Sequence, residues 1–390
     1  MWEYVPLENA AEICDGLRKP INSQERAKRI EGKAIDSLYP YYGATGQVGY
    51  IDDYLTEGEF VLLGEDGAPF LNPFASKAYI ISGKTWVNNH AHILRSKTNN
   101  RFLCYYLNYF NYNGYVSGTT RLKLTQAQMK QIKVPVPPID EQARIVARIE
   151  ELFSELDNGV QTLQTIKQQL AVYRQAVLKE AFERVDADEI TLSAVCDFIT
   201  KGTTPKKEDM SLGSGDIPYI KVYNLTFNTR LDFSINPTFV SKETHHNFLG
   251  RSITMPGDVL MNIVGPPLGK VSIVPDSYPE WNINQAIVRF RCLDKIYNKF
   301  LAYYLSFSET VDRMKAKAKA TAGQQNLTLE ICRCITIPLP SIEVQHQMVD
   351  EIESRLSVCD SIEKTVDTAL TQAEAMRQSI LKKAFEGGLV

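Results

Sequence analysis

The chain has 390 residues, 44% hydrophobic and 23% charged, with a net charge of −3; this is ordinary globular composition, long enough for two or three domains with their own cores. No stretch approaches the roughly 20 apolar residues of a membrane span, and Met1–Ala10 has neither a basic start nor an apolar run, so a cytoplasmic protein without a membrane segment is expected. Seven cysteines form no Cys-x-x-Cys pair, which suits reduced thiols and argues against a disulfide frame or a structural zinc site.

Residues 1–137 read as a first globular module of mixed α and β structure. Short apolar runs at Phe60–Gly64, Ala78–Ile81 and Thr85–Val87 predict strands between Gly, Pro and Asn turns. Helices are predicted at Asn100–Tyr109 and Gln126–Gln131. Prolines in Val134–Pro138 then set a sharp helix start. From Ile139 to Glu183 apolar residues recur in steps of three and four: Ile145, Ile149, Leu152, Leu156, Val160, Leu163, Ile166, Leu170, Tyr173 and Val177. That pattern is a coiled-coil seam, and a helix of this length spans about 65 Å.

Residues 186–336 repeat the mixed pattern, with strands predicted at Pro218–Val222, Asp258–Val264, Lys270–Val274 and Ala286–Phe290 and a helix at Lys299–Ser306. A second proline-led start at Ile337–Pro340 precedes a second long helix at Ile342–Glu386. Its seam uses Val349, Ile352, Leu356, Cys359, Ile362, Val366, Leu370, Ala373, Met376 and Ile380. Both long segments end in R-Q-x-x-L-K-x-A-F-E, and a constant shift of 203 residues relates them from Val134 against Ile337 to Glu183 against Glu386. This is an internal repeat. The modules share further anchors, with RFLCYYLN against KFLAYYLS, Gly58-Glu59 against Gly257-Asp258, and Asn89-x-Ala91 against Asn284-x-Ala286, but their loops differ.

The expected fold is therefore α+β: two mixed modules at 1–137 and 186–336, separated by long coiled-coil helices at 138–185 and 337–390. A pseudo-two-fold relation between the halves makes the helices antiparallel and brings the chain ends close together. Residues 140–183 carry 8 acids against 5 bases and residues 341–386 carry 9 against 5, so the helices are acidic and the remainder is mildly basic.

A search for catalytic patterns finds none. Gly83–Thr85 lacks the first glycine of a phosphate loop, Gly265–Lys270 is misspaced, and Asn72-Pro73-Phe74 lacks the second proline of an adenine-methyltransferase motif. His90 and His92 have no third ligand nearby and, like His245-His246, read as ordinary polar positions; Asp52-Asp53 and Glu65-Asp66 read as solvated turns. Binding features are clearer. The loop Thr200–Lys207 offers lysines, threonines and a glycine for phosphate contact. Arg313–Asn326 reads as a basic loop ending in Gln324, Gln325 and Asn326, and Ser117–Thr125, with Arg121 and Lys123, holds the matching place in the first module. Amides pair with adenine and arginine with guanine by two-point hydrogen bonds.

Two variable modules, each followed by a proline-led helix ending R-Q-x-x-L-K-x-A-F, resemble the specificity subunit of Type I restriction-modification systems. The resemblance covers the whole chain and is carried most specifically by VPVPPIDEQARIVARIEELFSELD with QAVLKEAFE, by their second copies, and by LSAVCDFITKGTTP; YYGATGQVGYIDDY and WVNNHAHIL are similar to one subtype of target-recognition domain. It implies a non-catalytic, sequence-specific binder of double-stranded DNA, each module reading half of a bipartite asymmetric site. The helices would set the spacing and dock two modification (methyltransferase) subunits, and through them two restriction subunits. S-adenosylmethionine, ATP and Mg would belong to those partners, with no cofactor or metal in this chain. The residues expected at DNA are Tyr41, Tyr42, Thr45, Gln47, Arg121 and Lys123 in module one, and Lys201, Thr203, Thr204, Lys206, Lys207, Arg313, Lys315, Lys317, Gln324 and Gln325 in module two. The competing classes are a two-module coiled-coil adaptor for protein or glycan ligands, and an enzyme with an unrecognised site.

Overall fold

A computed structural model describes residues 2–322 and 326–389. The chain divides into two compact units, Met1–Thr165 with Val366–Val390, and Ile166–Thr365. In the first unit, one antiparallel sheet has the strand order Ala11–Ile13, Ala91–Ser96, Phe60–Gly64, Ala78–Ile81. A second sheet runs Gly46–Ile51, Tyr39–Gly43, Lys84–Val87, Thr56–Glu57, with a parallel pair at its centre. Helix Asn100–Tyr109 covers the first sheet. Its Phe102, Leu103 and Leu107 share one core with Val61, Leu63 and Leu94, with Ile145 and Ile149 of the first long helix, and with Ile380, Leu381, Ala384 and Phe385 of the second.

The second unit repeats this plan with five-stranded sheets. One runs Cys196–Lys201, Ile287–Cys292, Val259–Asn262, Val271–Ile273, Thr229–Arg230; the other runs Met210–Leu212, Thr238–Val240, Ile217–Ile220, Trp281–Ile283, Ile253–Thr254. Helix Asn298–Ser306 packs on the first of these, and Phe182 of the first long helix enters its core beside Phe300 and Tyr304.

The long helices are continuous at Ile139–Glu183 and Ile342–Phe385. In each unit the same short antiparallel tie joins module to helix start: Val5 pairs with Val134, and Ile190 with Ile337. Tyr106 Oη donates to Lys133 O at 2.6 Å and Tyr304 Oη to Thr336 O at 2.7 Å. Gln142 and Gln345, both buried, donate back to Pro137 O at 2.8 Å and Pro340 O at 2.9 Å. These bonds satisfy carbonyls in the segment that leads into each helix, outside the helical ladder.

The predicted seams hold except at three positions: Tyr173, Ile362 and Met376 are exposed. The residue after each of two of them turns inward instead. Arg174 reaches Asp360 at 2.6 Å and Glu363 at 2.9 Å, and Arg377 pairs with Asp157. Each arginine and each aspartate is 203 residues from its counterpart, so the ion pairs exchange under the repeat. In the second unit, Arg174 with Asp360 and Arg355 with Glu180 fix the helices antiparallel.

Two anchors of the repeat shift by one residue. Asn88 N–H donates to Tyr42 O while its side chain accepts from His90 N–H, and Asn284 does the same with Ile220 O and Ala286 N–H, so Asn284 corresponds to Asn88 and not to Asn89. Likewise Leu62 opposes Ile93 where Leu260 opposes Arg289, which sets Asp258 against Phe60 rather than against Glu59. Near the chain ends, Trp2 and Leu389 pack against one cluster, as the two-fold relation requires. Among the described residues, no helix is long and apolar enough to cross a membrane.

Candidate nucleic-acid interface

In module two the loop after strand Cys196–Lys201 is held close to its neighbours. Gly202 N–H donates to Ile287 O at 3.1 Å, and a β-carbon on Gly202 would collide with the Ile283 and Asn284 carbonyls, so only glycine fits. Thr203 accepts Tyr219 Oη on its carbonyl at 2.9 Å and Arg251 Nε on its hydroxyl at 3.1 Å. Thr204 Oγ1 accepts from Gln285 N–H at 3.5 Å. Alongside, Ile263 N–H donates to Ala286 O at 2.8 Å, Leu327 N–H to Ile263 O at 2.9 Å, and Gly265 N–H to Asn326 Oδ1 at 3.4 Å. Four segments thus form one edge: 201–207, 263–267, 284–286 and the approach to Leu327. Lys201 and Lys207 are exposed on it, and Lys206 lies 3.5 Å from Glu208.

Gln324 and Gln325 lie outside the described residues. Arg313–Asn326 is not a loop through most of its length: Ser308–Ala322 is a helix that buries Met314 and Ala318. Alanine and lysine favour helix, and the i, i+4 apolar pair gives it a face to bury. Arg313 is turned toward the tie strands, on Tyr304 Oη and 3.9 Å from Glu189, rather than joining the loop edge. Lys315 pairs with Asp312 at 3.1 Å, and Lys317 lies on the helix's exposed side.

Module one has the equivalent edge. Leu124 N–H donates to Glu65 O at 2.7 Å as Leu327 does to Ile263, and Gly67 and Gly265 both adopt positive φ, 71° and 82°. The hairpin turn after Tyr39–Gly43 rests here, since a β-carbon on Gly64 would come within 3.1 Å of Ala44 O. Thr45 and Gln47 are exposed at this hairpin; Gln47 Nε2 donates to Gly49 O at 3.2 Å. Tyr41 is only 3% exposed, packed with Ile51 and Trp86, and donates to Ile21 O at 3.3 Å, so it belongs to the core. Tyr42 is half-buried 5.9 Å from Tyr79, and burial raises its hydroxyl pKa.

Arg121 and Lys123 are both on the edge, 61% and 49% exposed, and both are paired: Arg121 with Asp66 at 2.6 Å, Lys123 with Glu65 at 3.2 Å. Glu65 also holds Arg18, which lies 3.2 Å from Asp15. His92 is fully buried, Nδ1 2.7 Å from Asp15 and Nε2 3.0 Å from Leu124 O. His90 Nδ1 lies 2.8 Å from Asp66 without hydrogen-bond alignment. The two histidines and Glu65-Asp66 are thus parts of one charged network rather than separate solvated positions. His245, in helix Lys242–Asn247, is likewise buried and meets Glu280 at 3.0 Å. No spacing in the sequence signals these networks, because their members come from separate segments, four of them in module one. Among the described residues, no group of three or more His, Cys, Asp or Glu is placed to hold a metal ion.

Burial works against the Asp15 carboxylate, but bonds from His92, Ile93 N–H and Gln126 outweigh it, and its pKa lies below the ordinary 3.8. A depressed carboxyl stabilises the fold at pH above the unfolded value and loses that contribution as pH falls through the folded one. Asp15→Asn is therefore expected to lower the urea midpoint of the first unit at neutral pH. The gap from the parent should close in titrations repeated below pH 3.8.

Residues 1–169 and 184–372 match the family described as type I restriction modification DNA specificity domain. The chain belongs to that family. It is 28% identical, over 95% of its length and 92% of the relative's, to a putative type I restriction enzyme specificity subunit of Haemophilus influenzae. It is 26% identical to the EcoBI specificity subunit of Escherichia coli, over 100% of this chain and 86% of that one. A chain from a solved structure concerned with complex assembly and conformational transition of the type I R-M system superposes with a TM-score of 0.68, 18% identity, and coverage of 100% and 98%. This protein is thus a type I specificity subunit with two target-recognition domains. The paired edges lie in those domains, and the family itself is one of DNA recognition rather than catalysis.

Proposed function

We propose that each edge reads one half of a split, asymmetric DNA site, and that the two long helices set the distance between halves and dock two modification subunits, with two restriction subunits joining through them. The observation that carries this reading is the pair of equivalent edges with unlike side chains: Glu65, Asp66 and Lys123 in module one occupy the places of Ile263, Val264 and Asn326 in module two. Equivalent backbones with different reading groups give unlike half-sites. Thr45, Gln47, Arg121 and Lys123, and Lys201, Thr204, Lys206, Lys207, Gln324 and Gln325, are the side chains we assign to DNA. Tyr41, Tyr42, Arg313, Lys315 and Lys317 drop from that set, and Thr203 acts by holding its loop. The acidic helices suit protein partners better than phosphates. S-adenosylmethionine, ATP and Mg enter with the partners, in whose cytoplasmic complex this chain supplies no reacting group.

The test is adenine-methylation mapping in cells expressing this chain with and without its modification partner. A split motif is expected only when both are present. Exchanging residues 1–137 for another recognition module should then rewrite one half of that motif and leave the other unchanged. Methylation of a continuous motif, or a change in both halves, would refute the division of labour.

A further inference from the structure

Module one's edge carries its counter-charges beneath the cations, whereas among the described residues of module two's edge the one such pair, Lys206 with Glu208 at 3.5 Å, is exposed on both sides. Arg18 and Lys123 converge on Glu65, Arg121 sits on Asp66, and His90 lies beside the same Asp66. At the equivalent places, module two has Ile263 and Val264. Glu65 and Asp66 are only 15% and 22% exposed, while the arginine and lysine tips they hold point outward at 61% and 49%. The carboxylates therefore lie beneath a layer of cations at the face assigned to DNA. Their backbones are fixed independently of their charges, through Glu65 O to Leu124 N–H and Gly67 N–H to Leu122 O.

We propose that Glu65 and Asp66 are specificity-determining positioning residues of module one, an inference that rests on the reading of this edge as the DNA face. A cation already paired in the protein gains little from a phosphate, because binding exchanges one anion for another instead of releasing a bound counterion into solution. The internal pairs thus suppress sequence-independent attraction. They also hold Arg121 in one direction, and a guanidinium fixed by a carboxylate presents its remaining N–H groups as an oriented fork, suited to the two acceptors of a guanine edge. A matching base offers Arg121 directed bonds that a phosphate does not. Module two, with Ile263 and Val264 in place of the two carboxylates, relies on loop shape and amides and keeps the ordinary phosphate attraction of Lys201 and Lys207.

Glu65→Gln and Asp66→Asn, alone and together, are introduced into the full chain assembled with its modification partner. Binding is measured against salt on duplexes carrying both mapped half-sites, the first alone, or the second alone. For the double variant we expect binding to duplex lacking the first half-site to rise about tenfold at low salt, with the dependence of log K on log salt steeper by about 2. Discrimination at the first half-site should fall correspondingly, and discrimination at the second should not change. Asp52→Asn, which removes the partner of Lys33 and the nearer of two partners of Arg29 just beyond the end of strand Gly46–Ile51, serves as the charge control and should do none of this. An unchanged salt slope, a selective loss of binding to the matched site without any gain elsewhere, or an equal effect of Asp52→Asn would overturn the proposal. Failure of the parent complex to bind the mapped motif would instead defeat the reading of the edge itself.

Discussion

Phe385→Ala is expected to destabilise the first unit by about 3–5 kcal/mol, the range for removing a buried phenylalanine. Phe385 lies near the end of the second long helix, 3% exposed, its ring 5.3 Å from Phe102, 5.2 Å from Tyr106 and 5.5 Å from Tyr109. The aromatic contacts add to the area buried. The site also has little room to collapse, because Tyr106 is tied to Lys133 O and Leu381 and Ala384 fill the same cluster. A two-unit chain need not unfold in one step. Trp2 and Trp86 report on the first unit and Trp281 on the second, so a urea titration read by fluorescence separates them. With a denaturant dependence of about 2–3 kcal/mol per molar, the first transition should move down by about 1–2 M. Phe182→Ala, 203 residues earlier and packed on Phe300, Tyr304 and Phe307, should move the second transition instead. Phe385→Leu should recover much of the loss, since most of the volume returns. Equal displacement of both transitions by either variant would show that the helix ends do not anchor their modules separately.

The long helices were legible in the sequence because their signal is repeated over many turns and punctuated by proline; their bounds, Ile139–Glu183 and Ile342–Phe385, differ from expectation by at most one residue. The same holds for strands built of continuous apolar runs, such as Phe60–Gly64 and Ala78–Ile81. The failures have separate causes. At Tyr173 and Met376 apolar periodicity points to the wrong side chain, since Arg174 and Arg377 turn inward toward an aspartate opposite, a partner 186 residues or more away in sequence. In Arg313–Asn326 the charges dominate the sequence pattern, but the alanines favour helix and Met314 and Ala318 supply a core face. Asn89 and Glu59 stand one residue out of register because like residues recur across loops of unequal length, where hydrogen-bond register and not residue type fixes equivalence. The edges were half legible. Lysines, threonines and amides announced themselves, but the carboxylates beneath Arg121 and Lys123 form a site only once four segments are folded together.

Correct register between the modules exposes a polar pair whose removal should be costly. Asp258 and Arg289, 3% and 4% exposed, stand where module one has Phe60 and Ile93. Arg291 donates to both Asp258 oxygens at 2.9 and 2.8 Å, and Met255 N–H adds a third bond at 2.8 Å. Arg289 is less well served: its Nε lies 4.0 Å from Asp258 without a hydrogen bond, and burial pushes its pKa down from the usual range. Asp258→Ala would leave this guanidinium in the sheet with only the weaker attraction of Asp197, a loss expected to cost about 3–5 kcal/mol. Arg291, 29% exposed, can turn toward water, so most of the penalty falls on Arg289. It follows that Asp258→Ala combined with Arg289→Ile should be more stable than Asp258→Ala alone, since the second change removes the orphaned charge and restores the residue type used at the same place in module one. A double-mutant cycle on the Trp281 transition is expected to show coupling of at least about 1 kcal/mol. Additive losses would mean that Arg289 finds its compensation in the Phe198 ring, 5.5 Å from its guanidinium, and that Asp258 serves Arg291 and the Met255 turn alone.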